Sequence, residues 1–232
     1  MEPIRLARLL SELDDDRRRG RDVGGRLCDA CVDVLTVSGA GIMLMIDGDH
    51  QSTLGGSNAV INLVEELQFV LGEGPCIDAV RTSQPVHEPD LRQPAINRWP
   101  AFAEPAVAAG VRAVFGFPLH AGRTSLGALD VYLDEPGHLR PAQVTDALIM
   151  ADVISTTVLA LQADAPVGGL ADQLDSSLRH RAVVHQATGM VSAQLDLAVH
   201  DALLRIRAHA YTSGRPVLEV AHEIVDHRLL LE

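Results

Sequence analysis

Three kinds of side chain in this sequence could do chemistry, and none is spaced as a catalytic centre. The first is cysteine, at Cys28, Cys31 and Cys76. Cys76 follows Pro75, and a thiol at a helix N-terminus can have its pKa lowered by the dipole and become a nucleophile. Burial is the plainer reading of such a residue. Cys28 and Cys31 form a C-x-x-C pair, but no second C-x-x-C or H-x-x-H follows, so two thiols in a helical core is the plainer reading there too. Three cysteines also make no disulfide framework. The second kind is histidine: His87, His120 and His138 fall in no metal-ligand spacing. The third is arginine. All nineteen basic residues are Arg, with no Lys, and the guanidinium fork suits phosphate oxygens. Paired catalytic carboxylates, a Ser-His-Asp set and a Gly-rich phosphate loop do not stand out. The expectation is a chain that is not an enzyme, with no metal site and no cofactor that the sequence names.

Charge separates the chain into two parts. The formal net charge is -12, which argues against a general nucleic-acid binder. From Ser176 to Glu232, however, six Arg balance six Asp and Glu, and six of the ten His lie there. The whole negative excess belongs to the residues before, as it would with two modules. Aromatic residues are 3% of the chain, so Leu, Val, Ile and Ala must fill the core. No stretch of about 18 uninterrupted apolar residues occurs. The N-terminus turns charged within a dozen residues, unlike a signal peptide. The expected location is the cytoplasm.

Those residues must be positioned by elements that the pattern predicts. The first 37 residues read as helix, with Gly24-Gly25 as a weak point. A strand runs to Ile46, Asp47-Gly48 signals a hairpin turn, and a second strand covers His50 to Leu54. Helical periodicity returns over Ala59 to Leu71. Gly72-Glu73-Gly74-Pro75 is a tight turn, with Pro75 suited to the first turn of a short helix ending at Thr82. Pro85 to His87 reads as a short strand, and Trp99 to Ala109 as a helix closed by Gly110. Strands follow over Val111 to His120 and Leu126 to Leu133, and then a long helix over Pro141 to Ala163. Four or five antiparallel strands flanked by helices make an α+β domain over residues 1–164. Residues 165–170 read as a linker. Residues 171–232 contain no strand and fit three helices, about Ala171 to Leu195, Ala198 to Thr212 and Pro216 to Leu230.

Two stretches carry family resemblances. LGEGPCIDAVRTSQPVHEPDL, Leu71 to Leu91, resembles the GAF domains of actinobacterial regulators, and WPAFAEPAVAAGVRAVFGFPL followed by LGALDVYL fits the same family. HQATGMVSAQLDLAVHDALLRIRAHAYTSGRPVLEVAHEIV, His185 to Val225, resembles an ANTAR domain. Gln186, Ala187, Gly189, Met190, Ala202, Leu203, Arg207, Ala208, Val220, Ala221 and Val225 occupy its pattern. Thr188 stands where many such domains have Lys, and Ala198 where a Ser N-cap is common.

The second resemblance implies a three-helix bundle that binds RNA hairpins in transcript leaders and relieves transcription termination, usually as a dimer. The expected function is a signal-responsive RNA-binding regulator with a GAF sensory domain. Candidate RNA contacts are the polar residues able to lie exposed: Arg181, His185, Gln186 and Thr188 on the first helix, Arg205, His209 and Tyr211 on the second, and Arg215 at the turn. Arg can fork onto phosphate, and Tyr211 offers a ring for stacking an unpaired base. Two Pro/Gly-rich connections facing one sheet predict a pocket between the sheet and the Glu73 to Ala79 and Trp99 to Ala109 segments. Its candidate lining is Glu73, Cys76, Trp99 and Phe102, and its ligand is a small molecule or a partner protein. The long helix, with the N-terminal one, is expected to pair two subunits. The rival reading is a protein-interaction module whose ANTAR domain binds no RNA.

Overall fold

The computed structural model describes residues 22–46, 50–93, 98–164 and 175–231. The helix expected before residue 22, the Asp47-Gly48 turn and the linker at 165–170 lie outside the described residues. The chain divides into two compact units, Met1–Leu170 and Ala171–Glu232.

In the first unit, helix α1 (Val23–Leu35) begins where the Asp22 carboxylate accepts the Gly25 N–H, a side-chain N-cap. Strands β1 (Gly39–Ile46) and β2 (His50–Gly56) pair antiparallel. Helix α2 (Ala59–Leu71) starts at the Asn58 side chain, which accepts the Ile61 N–H, and ends at Gly72 with φ 67°. Helix α3 (Pro75–Thr82) has Pro75 in its first turn, where a missing N–H costs nothing. Strand β3 (Val86–Glu88), helix α4 (Pro100–Ala108), strands β4 (Ala113–Ala121) and β5 (Thr124–Leu133), and helix α5 (Pro141–Asp164) complete the unit. Gly110, just past α4, has φ 96°, as its expected stop position requires.

The five strands form one antiparallel sheet in the order β2-β1-β5-β4-β3. Alternation in the central strands places side chains in a core on each face. Ala40, Ile42 and Leu44 of β1, Phe115, Phe117 and Leu119 of β4, and Leu129 and Val131 of β5 form one core with α1 and α5. Met43, Val114, Ala128 and Tyr132 point the other way, into a second core with Ile61 and Val64 of α2, Cys76 and Ala79 of α3, and Phe102 and Ala106 of α4. Among the described residues one helix, Pro141–Ala163, is long and apolar enough to cross a membrane. Ala147, Met150, Ile154 and Val158 of that helix belong to the first core.

One cross-strand row shapes the second face. Asp130 on β5 pairs with Gly41 on β1 and with Gly116 on β4, so the only side chain among these three residues is a carboxylate. The glycines leave room for elements above them. A Cβ on Gly41 would lie 2.7 Å from Glu65 Oε1 of α2, and one on Gly116 would lie 2.6 Å from the Pro75 carbonyl of α3.

The second unit holds three mutually packed helices: α6 (Asp175–Leu195), α7 (Val199–Ser213) and α8 (Val217–Val225). Val184, Ala187, Val191, Ala202, Ile206, Ala210, Val220, Ala221 and Ile224 are buried between them, small residues allowing close approach. The last helix stops earlier than the sequence pattern suggests. His227 takes φ 56° and turns the chain, so that Leu231 tucks in and its carbonyl accepts a hydrogen bond from Gln194 Nε2.

Gly116→Ala should destabilise the first unit by about 1–3 kcal/mol, since the atom it meets is backbone and cannot rotate away. Urea unfolding followed by circular dichroism measures this. A midpoint equal to the parent's would mean that α3 does not rest on β4 at that distance.

Candidate functional site

The GEGPC turn is tied to α4 by charged and polar contacts. Glu73 Oε1 accepts the N–H groups of Ala101 (2.6 Å) and Phe102 (2.9 Å). Helix α4 has no side-chain cap of its own, and its first N–H groups need acceptors. Glu73 therefore acts as a cap supplied from another element. One turn on, Asp78 accepts from Trp99 Nε1 and Arg98 Nη2, both at 3.1 Å, and from Arg81. Trp99 and Phe102 meet edge to face at 6.0 Å between ring centroids.

Of the expected pocket residues, Cys76, Trp99 and Phe102 are buried within the second core, with Met43, Ile61 and Val64. Glu73 is occupied as a cap. Cys76 is 0% exposed, its Sγ 3.6 Å from Met43 Sδ.

Beneath the turn lies a polar cluster that the spacing of residues did not reveal. Gln68 of α2 donates through Nε2 to Asp130 Oδ2 (2.5 Å) and accepts the Cys76 N–H on its Oε1 (2.8 Å). Glu65, one turn earlier on α2, places a carboxylate in the same place. Ligand atoms of Glu65, Cys76 and Asp130 all lie within 4.8 Å of one another, and all three residues are buried. Burial pushes the Asp130 carboxyl above the usual carboxylate range, with the Gln68 hydrogen bond the largest opposing influence. The missed signal was in β5. A lone Asp in LGALDVYL, with the same parity as Ala128 and Tyr132, must face the core if they do.

In the helical unit, α7 and the C-terminal tail enclose an open groove of about 390 Å³, lined by Arg205, Ala208, His209, Thr212, Leu230 and Leu231. Arg205, His209 and Thr212 fall on one helix face at spacings of four and three. Two of the expected contact residues, Arg205 and His209, meet there. Gln186 is exposed and Tyr211 is 73% exposed, but neither lines the groove. His185 is half-buried. The Arg181 side chain lies outside the described residues. The Arg207 guanidinium is drawn down to about 10 by burial.

Two expected contacts sit differently from the sequence reading. Thr188 is 1% exposed, and its hydroxyl donates to the Val184 carbonyl one turn earlier. A threonine can satisfy its own hydroxyl this way inside a helix core, so its polarity does not force it outward. Arg215 is engaged by Glu219 (2.9 Å) and Glu223 (2.7 Å), and the Glu223 hydrogen bond leads in holding its pKa up. Thr212, Leu230 and Leu231 are groove residues that polarity alone could not select.

Comparison with known proteins gives two family matches: the model described as GAF domain over residues 21–158, and that described as ANTAR domain over residues 172–225. No curated protein sequence matches the chain. Several solved structures share the fold of the first unit. The GAF domain of an Acinetobacter phosphoenolpyruvate-protein phosphotransferase aligns at TM-score 0.53 and 14% identity, covering 72% of this chain and 99% of its own. The corresponding domain from Coxiella burnetii gives 0.50 and 12%, covering 70% and 98%. A domain assigned to a two-component sensor histidine kinase of Sinorhizobium meliloti 1021 gives 0.50 and 19%, covering 61% and 92%.

All three thiols should be inert in the folded chain. The thiolate is the reactive form, and burial pushes Cys31 up to about 12 and Cys28 higher still. Ellman's reagent at pH 8 should therefore titrate no thiol before denaturant is added and three afterwards. Rapid release of one equivalent by the native protein would place a cysteine at the surface. Glu73→Ala should lower stability by about 1–2 kcal/mol, as loss of a cap does; an unchanged urea midpoint would show that α4 does not depend on Glu73.

Proposed function

The chain belongs to the GAF domain family, and with an ANTAR domain following that domain we propose that it is a signal-responsive, RNA-binding regulator acting by transcription antitermination. On this reading residues 1–164 sense, 165–170 link and 171–232 bind RNA, as in actinobacterial regulators of this composition. The protein works in the cytoplasm as a regulator, not an enzyme, and its partners are hairpins in transcript leaders and a signal, small molecule or protein, at the GAF domain.

The observation that carries the RNA reading is the groove on α7. Arg205 is exposed and makes no ion pair among the described residues, so its fork is available to a phosphate. His209 stands beside it, and Leu230 and Leu231 supply an apolar wall against which a base face can rest. Tyr211 projects from the same helix and offers a second stacking surface. Arg215 contributes less, since two glutamates already hold its charge.

Filter binding against structured transcript leaders tests this. Arg205→Ala should weaken all RNAs alike and flatten the slope of log K against log salt by about 0.7. Arg215→Ala should change affinity less than Arg205→Ala does. Tyr211→Ala should leave the helical circular dichroism intact and weaken hairpins with an unpaired loop base by about 1–3 kcal/mol. Failure of the parent protein to bind any leader at any salt would favour the rival reading, in which the neutral helical domain meets a protein.

Pairing of two chains is the second part of the proposal. Leu148 and Leu159 of α5 are each 43% exposed on one helix face, apolar surface that a second copy would cover. Light scattering should give about twice the 24.8 kDa chain mass. Leu148→Glu with Leu159→Glu should halve it, and a parent protein that stays at chain mass across micromolar concentrations would remove dimerisation from the proposal.

A further inference from the structure

We propose that Glu65 and Asp130 share one proton, and that this proton latches α2 to the central strand β5 inside the GAF domain. The two carboxyl groups come from different elements and are each 2% exposed. An oxygen of each and the Cys76 sulfur all lie within 4.8 Å of one another. The row Gly41, Asp130, Gly116 explains the approach. With glycine on either side of Asp130, α2 and α3 come down close to the sheet, and their side chains meet its carboxyl group.

The cluster satisfies itself, and the way it does so requires the proton. Asp130 is hydrogen-bonded to Gln68, Cys76 and Glu65. An ionised carboxylate is an acceptor only. A hydrogen bond between two carboxyl groups therefore carries a proton on one of them. Removing it leaves two negative charges side by side out of water, where each disfavours the other. None of the groups bonded to Asp130 is a cation that could offset the second charge.

The surroundings of the pair are sparse in charge. Helix α2 brings Glu65 and Gln68, α3 brings Cys76, α4 adds the apolar Phe102 and Ala106 to the same core, and the neighbouring strands present glycine. In the next row of this face stand Tyr132 on β5 and, across Val114, Glu88 on β3. Burial holds the Asp130 carboxyl above the usual carboxylate range, and the two acids titrate as a unit. The folded chain thus keeps a proton that the unfolded chain releases. The latch contributes fully below the ordinary carboxylate range and fades as pH rises through the titration of the pair. The proton then passes to solvent, and α2 and α3 are held on the sheet less firmly. The latch does not depend on the RNA-binding reading, because all its residues belong to the first unit.

Infrared spectroscopy of the full-length chain reads the proton directly, through the carbonyl stretch of an un-ionised carboxyl group above the amide I band. At about pH 6, where exposed carboxyl groups are ionised, the parent should show this band. It should be missing from Asp130→Asn and from Glu65→Gln, with the fold checked by circular dichroism, and unchanged in Glu66→Gln, an exposed neighbour on the same helix. With rising pH the parent band should disappear in a step of its own, above that of the exposed acids. Urea curves at the same pH values read the latch. From about pH 4 up to that step, the unfolding constant of the parent relative to Asp130→Asn should rise by up to about tenfold per pH unit. An equal band in the parent and both variants overturns the shared proton, and a ratio that does not change with pH overturns the latch. If neither variant folds, the parent decides alone: a separate carboxyl step above the exposed acids supports the pair, and a single titration refutes it.

Discussion

A carboxylate in the middle of a sheet buried on both faces is the constraint around which the first unit is arranged. Asp130 cannot be left without a partner there, and its neighbours on either side are glycines. Gln68 supplies the answer with both ends of one amide, its N–H to Asp130 and its oxygen to the Cys76 N–H. That single side chain fixes the depth of α2, the position of the first turn of α3 and the path of the GEGPC turn between them. The turn in turn delivers Glu73 to the start of α4 and Asp78 to Trp99. An apolar substitute at position 68 would leave both the Cys76 N–H and a carboxylate oxygen unsatisfied, a larger loss than one ordinary hydrogen bond.

How much of this was legible in the sequence depended on whether the signal was local. Helix α2 could be read because its apolar period and the Gly72 stop lie in one stretch, and α3 because Pro75 declares a first turn. Strands β4 and β5 could be read from apolar runs separated by Gly122-Arg123. Whether Trp99 and Phe102 line a cavity or fill it could not be read locally, because volume is a tertiary quantity. Thr188 misled because a hydroxyl has a private solution inside a helix, whereas Gln186, its neighbour, has no such short reach and lies outside. The Glu65, Cys76 and Asp130 cluster could not be seen as a spacing at all, since its members lie on separate elements and meet only through sheet register. Its one local trace was the parity of Asp130 along β5.

The helical unit makes a different use of charge. Its arginines and acids balance, so long-range attraction to a polyanion is weak and recognition has to be local. Burial of Arg207 and the commitment of Arg215 to Glu219 and Glu223 spend part of the positive charge on holding helices and turn together. Among the described residues Arg205 is exposed without an ion pair, beside a groove whose other wall is apolar. Such a face discriminates by shape and by contact with unpaired bases more than by attraction to backbone phosphate.

The chain has one tryptophan, and its placement gives the sensory domain an intrinsic optical reporter. Trp99 is buried, donates its indole N–H to Asp78 and has the Arg98 guanidinium 5.0 Å from its ring centre. It shares a core with Cys76 while the helical unit contributes no indole of its own. Emission from the intact protein therefore comes from a single site beside the GEGPC turn, and its wavelength and quenching follow that environment alone. Any event that loosens the joint between α3 and α4 can be followed in the full-length chain without a label, and its kinetics resolved separately from events at the RNA.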